Sequence, residues 1–135
     1  MKTLVFTLVF MLLVSLLTAL EYHSQTNGDW SNPNTWGSFD GVPGYGDNVY
    51  IHPGHTIYTD GYSEIYIQSL DIMGNGLASG TLYGGYNTDF TLHVERDVSI
   101  ESVSGSSAVS PGPWGEFNLY LGGDFCMDGG GVYDV

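Results

Sequence analysis

The feature that most constrains the fold is a stretch of chain that matches a second stretch 27 residues later. The segment FTLHVERDVSIES, which starts at Phe90, aligns with FNLYLGGDFCMDG, which starts at Phe117. Each copy has two short alternating runs on either side of a turn that carries Asp97 or Asp124. Repeats with spacings in the twenties are typical of solenoids, in which each coil buries its apolar face against the next. The aspartate side chain is expected to accept hydrogen bonds from nearby backbone N–H groups.

Alternating apolar residues continue through most of the chain after position 20, and no segment there keeps the 3.6-residue period of a helix. A looser match sets Leu70 and Ile72 against Leu92 and Val94, at an offset of 22 residues. Gly, Asp, Asn, Ser and Pro separate the runs, and these residues supply turn geometry. The sequence therefore predicts an all-β protein that forms a right-handed parallel β-helix. An antiparallel β-sandwich is the alternative, because it also contains many short alternating strands.

The N-terminal residues predict a secretory signal peptide. Lys2 precedes an apolar run from Leu4 to Leu20, and polar residues follow at once. This order is typical of a cleaved leader, and the run is short for a membrane span, which needs ~20 apolar residues. We expect residues 1–19 to be removed after Ala19, with an uncleaved anchor as the alternative. The protein is therefore predicted to be secreted, or to lie at the cell surface.

The rest of the chain, residues 20–135, is predicted to be a single domain. A solenoid needs a cap, because its first coil would otherwise expose apolar surface and open strand edges. The segment at about 27–46 fits that role, since it holds Trp30, Trp36 and many turn formers. The coils would then occupy about 47–135. The last residues look like the start of another strand, so the chain is expected to be part of a longer protein, with an incomplete C-terminal end.

A spaced pattern covers about half of the chain: Trp-x5-Trp, then Pro, then Gly-Asp-x-Val-x-Ile, Gly-x-x-Ile, Asp, and Leu-x-Ile-x-Gly. The matching residues are Trp30, Trp36, Pro43, Gly46, Asp47, Val49, Ile51, Gly54, Ile57, Asp60, Leu70, Ile72 and Gly74. The pattern resembles the eight-glycine domain and the start of secreted β-helical surface proteins of Bacteroidetes-type bacteria. The resemblance implies a β-helical fold with structural roles for these residues, and it points to a non-catalytic module. Nothing here matches the C-terminal sorting domain with which those bacterial proteins usually end.

Charge limits the partners. Lys2 lies in the predicted leader, so Arg96 is the only Lys or Arg that would remain, against 15 Asp and Glu residues. Nucleic acid and anionic membrane are excluded as partners of the mature chain, because binding to phosphate depends on Lys and Arg. The charge could recruit calcium, but no ligands are assigned and no other cofactor is predicted. The expected partners are extracellular polysaccharides or other surface proteins.

Aromatic residues are the best binding candidates. Tyr58, Tyr62 and Tyr66 stand outside the apolar alternation and could form a row that stacks on sugar rings, although strands also favour aromatics for structural reasons. His52 and His55 have a spacing that metal ligands can use, but the Pro-Gly between them favours a turn. No metal site is therefore predicted.

No catalytic residue is predicted within the chain. Asp89, Glu95, Asp97 and Glu101 could supply an acid–base pair for glycoside cleavage, but alternating carboxylates on strands are usually solvated. The single cysteine, Cys126, has no neighbouring base in the sequence.

Two classes of function remain. The first, which we favour, is a non-catalytic module for adhesion, glycan contact or structural spacing. The second is the N-terminal part of a β-helical polysaccharide lyase or glycoside hydrolase whose active site lies beyond residue 135. Charged residues stacked on one outward face of later coils would distinguish the second class, and this chain lacks them.

Overall fold

The structure, a computed structural model, describes residues 19–59, 62–85, 89–101 and 109–128. Within these ranges the chain is nearly all strand, and its one short helix, α1, spans Pro33–Trp36. The strands are β1 (Glu21–His23), β2 (Gly28–Asp29), β3 (Asn48–Ile51), β4 (Thr56–Tyr58), β5 (Glu64–Ile67), β6 (Ser69–Ile72), β7 (Thr81–Tyr83), β8 (Phe90–Val94), β9 (Val98–Glu101), β10 (Val109–Ser110), β11 (Phe117–Leu121) and β12 (Phe125–Asp128).

The strands form three parallel sheets that the chain visits in turn. The first sheet has the order β1-β3-β6-β9-β12, the second β10-β7-β4-β2, and the third β11-β8-β5. The chain therefore winds through about four turns of a solenoid. The predicted parallel β-helix is confirmed. The antiparallel sandwich is wrong, because every pair of these strands is parallel.

The register confirms the repeat of 27 residues. Phe117 pairs with Phe90 in the third sheet, and Phe125 pairs with Val98 in the first. The looser match at an offset of 22 is wrong, because Leu70 pairs with Val98 whereas Leu92 pairs with Ile65 on another sheet. A two-residue alternation fits any strand of the same length, so it cannot assign a strand to its sheet.

The core consists of apolar ladders that face inward, and each coil contributes one residue to a given ladder. Its fully buried side chains include Val49, Ile51, Ile57, Ile67, Leu70, Ile72, Leu82, Leu92, Val98 and Ile100. The last described coil is less covered, since Phe117, Leu119, Leu121 and Met127 are only partly buried. Most of the hydrophobic stabilisation therefore comes from the middle coils.

The first coil begins at β1, earlier than the boundary expected from the sequence. β1 and β2 add to the first and second sheets, while α1 and the loop after it stand in place of a strand in the third. Trp30 and Trp36 are buried here with their rings edge to face at 5.0 Å. The two indoles fill the end of the core, as predicted for a cap.

Carboxylates at the corners join successive coils. Asp97 Oδ1 accepts a hydrogen bond from the backbone N–H of Asp124 at 2.9 Å, and Asp89 Oδ1 accepts one from that of Glu116 at 3.0 Å. The first contact confirms the backbone-binding role predicted for the repeated aspartate. These bonds satisfy donors that the turn leaves without a strand partner.

Two glycines of the spaced pattern have clear structural reasons. Gly54 has a φ of 80° in the turn between β3 and β4, where a side chain would be strained. A Cβ at Gly74 would lie 2.4 Å from the carbonyl oxygen of Glu101 in the next coil. Asp60, also part of the pattern, lies outside the described residues.

Candidate functional site

An aromatic ladder covers part of the outer face of the third sheet. Tyr66, His93 and Tyr120 occupy the same register position on β5, β8 and β11. Tyr66 stacks on His93 at 4.2 Å with a 3° interplanar angle, and His93 stacks on Tyr120 at 4.8 Å and 8°. Both faces of the His93 ring are therefore covered. A flat ligand could reach an open ring face only at the two ends of this ladder.

A groove of about 400 Å³ lies at the Tyr66 end of the ladder. It is lined by Trp30, Pro43, Gly44, Tyr45, Tyr62, Glu64, Ile65 and Tyr66. β5 is the edge strand of the third sheet, because the first coil contributes a loop there. His93 covers one face of Tyr66, and the other face is left on the groove side. We call this cavity the Tyr66 groove.

The loop that forms one wall of the groove is fixed by short hydrogen bonds. The Trp30 indole N–H donates to the Pro43 carbonyl at 3.1 Å. The Gly44 backbone N–H donates to Asp47 Oδ2 at 2.9 Å, and the Asp47 backbone N–H donates back to the Gly44 carbonyl at 3.1 Å. The sequence pattern marked Trp30, Pro43 and Asp47 as structural residues. Their contacts hold the wall on which Tyr45 is carried.

Two tyrosine–carboxylate pairs stand at the groove. The Tyr66 hydroxyl donates to Glu64 Oε2 at 3.0 Å, and this bond, with burial and the Glu64 charge, raises the pKa of Tyr66. Tyr45, which is 75% exposed, lies near Glu95, and the Glu95 carboxylate, as acceptor and as charge, raises the pKa of Tyr45. The bond from Tyr66 orients Glu64, which still has lone pairs free to accept further donors.

The structure brings together only two of the three tyrosines proposed from sequence. Tyr62 and Tyr66 both line the groove. Tyr58 lies on β4 in the second sheet, where its ring packs edge to face against Tyr83 at 5.8 Å. The sequence analysis singled out neither Tyr45 nor Glu64 as a binding residue. The loop of the first coil places Tyr45, and the edge strand of the third sheet places Glu64. No local sequence pattern predicts either position.

A second, shallower cavity of about 300 Å³ lies further along the same sheet. It is lined by His93, Val94, Glu95, Tyr120, Leu121 and Gly122. Glu95 belongs to this cavity and also contacts Tyr45 of the first one. The two cavities are therefore neighbours joined by one tyrosine–carboxylate contact.

Three histidines meet on another part of the surface, near the end of the first sheet. His23 Nδ1 and His52 Nε2 are 3.0 Å apart, so one nitrogen donates to the other. Ser24 Oγ lies 2.8 Å from His55 Nδ1 and accepts the His52 backbone N–H at 2.8 Å. His52 and His55 thus anchor the turn to the first coil, as the turn interpretation predicted, and the contribution of His23 was missed. Among the described residues, no group of three or more His, Cys, Asp or Glu side chains is arranged to hold a metal ion.

Acidification is expected to destabilise the protein through these histidines. Burial and the neighbouring His23 and His55 lower the pKa of His52 below its ordinary value of 6.5. Below pH 6.5 the unfolded chain therefore binds a proton that the folded chain resists, so stability falls with pH until the folded pKa is passed.

Urea unfolding at neutral pH and at about pH 5.5 measures this loss, because imidazoles change charge in that interval. The His52→Asn variant should show a smaller decrease between the two pH values than the parent protein. His93→Gln is the matched control, because it changes a histidine of another sheet, and it should keep the parent's slope. An unchanged slope in His52→Asn would contradict the assignment.

The acidic residues offer a weaker candidate site on the first sheet. Burial and the nearby Glu101 charge raise the pKa of Asp71 above its ordinary value of 3.8. Glu101 Oε2 also accepts the Gly74 backbone N–H at 3.4 Å, so it helps to hold the coils together. A raised carboxyl pKa occurs in general acids but also in buried structural pairs.

Cys126 is an exposed free thiol. In the part of the chain that the structure describes, no helix has the length and apolarity needed to cross a membrane. Comparison of the chain with protein-family models, with curated proteins and with solved structures finds no match. The resemblance to the eight-glycine domain therefore stays a prediction from the sequence pattern.

Proposed function

We propose that this protein is a non-catalytic, secreted or cell-surface β-helical module that binds glycans in the Tyr66 groove. The observation that carries the proposal is one concave site that combines tyrosine rings with an oriented carboxylate. A sugar ring has an apolar C–H face, which can stack on an aromatic ring, and hydroxyls, which can donate to a carboxylate. Concave sites with a few fixed polar groups are where small ligands usually bind.

The composition of the groove supports binding rather than cleavage. Glycoside hydrolysis uses two carboxyl groups that flank the scissile bond. Glu64 is the one carboxylate among the residues that line the Tyr66 groove. The enzyme alternative places its active site beyond residue 135, as the sequence-based hypothesis had it.

The proposal also keeps the predicted leader and the family resemblance. Secretion is part of the proposal because Lys2 precedes an apolar run within residues 1–19, the order that is typical of a secretory leader. The resemblance to the eight-glycine domain remains part of the proposal, and three residues of its pattern, Trp30, Pro43 and Asp47, hold the groove wall. Adhesion or spacing between surface proteins would be consequences of such binding in a longer chain.

Tyrosine substitutions test the proposal. We expect Tyr66→Ala and Tyr45→Ala each to weaken polysaccharide binding about 10-fold, because each substitution removes a ring that contributes about 1 kcal/mol or more of stacking. The polysaccharide used is one that slows the migration of the parent protein in a native gel. Tyr58→Ala is the matched control, since it removes an exposed tyrosine from another sheet. Native gel electrophoresis through dissolved polysaccharides gives the affinities, and thermal unfolding checks that each variant is folded. If no polysaccharide retards the parent protein, or if Tyr58→Ala has the largest effect, the groove is not a glycan site.

A further inference from the structure

We infer that the ligand of the Tyr66 groove is an uncharged, polyhydroxylated polymer that runs along the solenoid axis to a second subsite beside Glu95 and Tyr120. This inference rests on the proposed function and adds the ligand class, the direction of the ligand and the second subsite. It is carried by the charges at the two cavities and by the alignment of these cavities on one sheet.

The charges at the two cavities select against acidic polymers. Glu64 lies in the first cavity and Glu95 in the second. The formal net charge of the chain is −13, with only two Lys or Arg residues, one of them in the predicted leader. A polyanion would meet these carboxylates without enough compensating cations, and like charges brought together in an interface oppose binding. Sugar hydroxyls, in contrast, are donors that a carboxylate accepts in strong, charge-assisted hydrogen bonds.

The alignment of the two cavities gives the direction. Tyr66 and Tyr120 stand at the two described ends of one ladder, with His93 between them. Their rings are thus two coils apart, roughly 9–10 Å at the usual spacing of neighbouring strands. Tyr120 is 61% exposed, and its face away from His93 is left on the far side of the ladder. A ligand that contacts both cavities must extend along the axis, so it must be longer than a single sugar.

Tyr45 and Glu95 lie close to each other between the two subsites. Tyr45 lines the first cavity and Glu95 lines the second, and the Glu95 carboxylate acts on the Tyr45 hydroxyl. A polymer crossing from one cavity to the other passes these two side chains and can donate hydrogen bonds to the Glu95 carboxylate.

Ligand charge and ligand length are the two variables of the test. The parent protein is run in native gels with neutral polymers (xylan, galactomannan, mixed-linkage β-glucan) and acidic polymers (polygalacturonate, alginate, hyaluronate). The acidic set is repeated with calcium and with a chelator. Calorimetry then uses oligosaccharides of increasing length from the neutral polymer that binds best. Retardation by a neutral polymer only, with affinity that rises with length, is the expected result.

Variants separate the two subsites. Tyr120→Ala is expected to weaken binding of the long oligosaccharides about 10-fold and to leave the disaccharide affinity unchanged, whereas Glu95→Gln, which also changes the surroundings of Tyr45, should weaken both. Tyr66→Ala should weaken both. Glu101→Gln, a carboxylate change on the first sheet, is the matched control for Glu95→Gln and should change neither. Circular dichroism and thermal unfolding verify that every variant keeps the fold.

The outcomes distinguish this inference from the proposed function. Binding of acidic polymers as strong as that of neutral ones would overturn the ligand class, while the glycan proposal would stand. A disaccharide that binds as tightly as the longest oligosaccharide, or a Tyr120→Ala variant with parental affinity for it, would overturn the second subsite. Failure of every polymer to bind would overturn both proposals together.

Discussion

The Trp30→Ala variant is expected to lose about 3–5 kcal/mol of its free energy of unfolding, the range for removing a large aromatic side chain from a core. Trp30 is only 1% exposed, and it packs edge to face on Trp36. The substitution leaves a cavity at the end of the solenoid and removes the N–H that binds the Pro43 carbonyl at 3.1 Å. Because native domains are stable by only about 5–15 kcal/mol, this loss approaches the threshold for unfolding at 37 °C.

Urea unfolding followed by circular dichroism measures the change. Trp114→Ala is the matched control, because it removes the same side chain from a position that is 83% exposed. Because the Trp114 side chain is largely in solvent, the effect of its truncation should stay within about 0.5 kcal/mol. Similar losses in the two variants would mean that Trp30 does not close the core.

The Trp30→Ala variant should also lose the groove before it loses the fold. Trp30 lines the Tyr66 groove as well as filling the core, and it holds the loop that carries Tyr45. The first coil is paired along only one side of β1 and β2, so it is expected to open more readily than the middle coils. Stability of the cap and geometry of the groove are therefore linked through one side chain.

The repeat made the architecture predictable from sequence. The match between Phe90 and Phe117 fixes a coil length, and a repeated alternating strand can bury its face only by stacking on its copy. The pattern of Trp30, Trp36 and Pro43 likewise located the cap, because large apolar residues among turn formers have few other places to pack. These are local signals, and the fold follows from them.

The groove was less predictable, because its residues meet only through the winding of the coils. Tyr58, Tyr62 and Tyr66 are close in sequence, yet the corner between β4 and β5 sends Tyr58 to the second sheet and Tyr66 to the third. Tyr45 approaches Glu95 from another coil. His23 meets His52 across 29 residues. In a solenoid a functional neighbour lies one coil away, and coil lengths vary where no repeat is visible, so such pairs need the three-dimensional register.

Phe90→Ala and Phe117→Ala are expected to differ sharply in stability, although the two residues occupy the same position of the repeat. Phe90 is 1% exposed and stacks on Phe117 at 5.6 Å, so its truncation should cost about 3–5 kcal/mol. Phe117 is only partly buried in the last described coil, so its truncation should cost about 1–2 kcal/mol. The two residues have the same side chain, and they pair with each other on parallel strands of the same sheet.

The difference between these two variants therefore isolates burial between coils. Urea unfolding of both variants gives the two losses, and equal m-values would show that each unfolds in the same cooperative transition. A solenoid gains stability from interfaces between neighbouring coils, and Phe90 lies between β5 and β11 whereas Phe117 has a described neighbour on one side only. Equal losses would mean that the last described coil is covered as well as the middle one, which would contradict the partial exposure of its ladder and move the end of the core beyond β11.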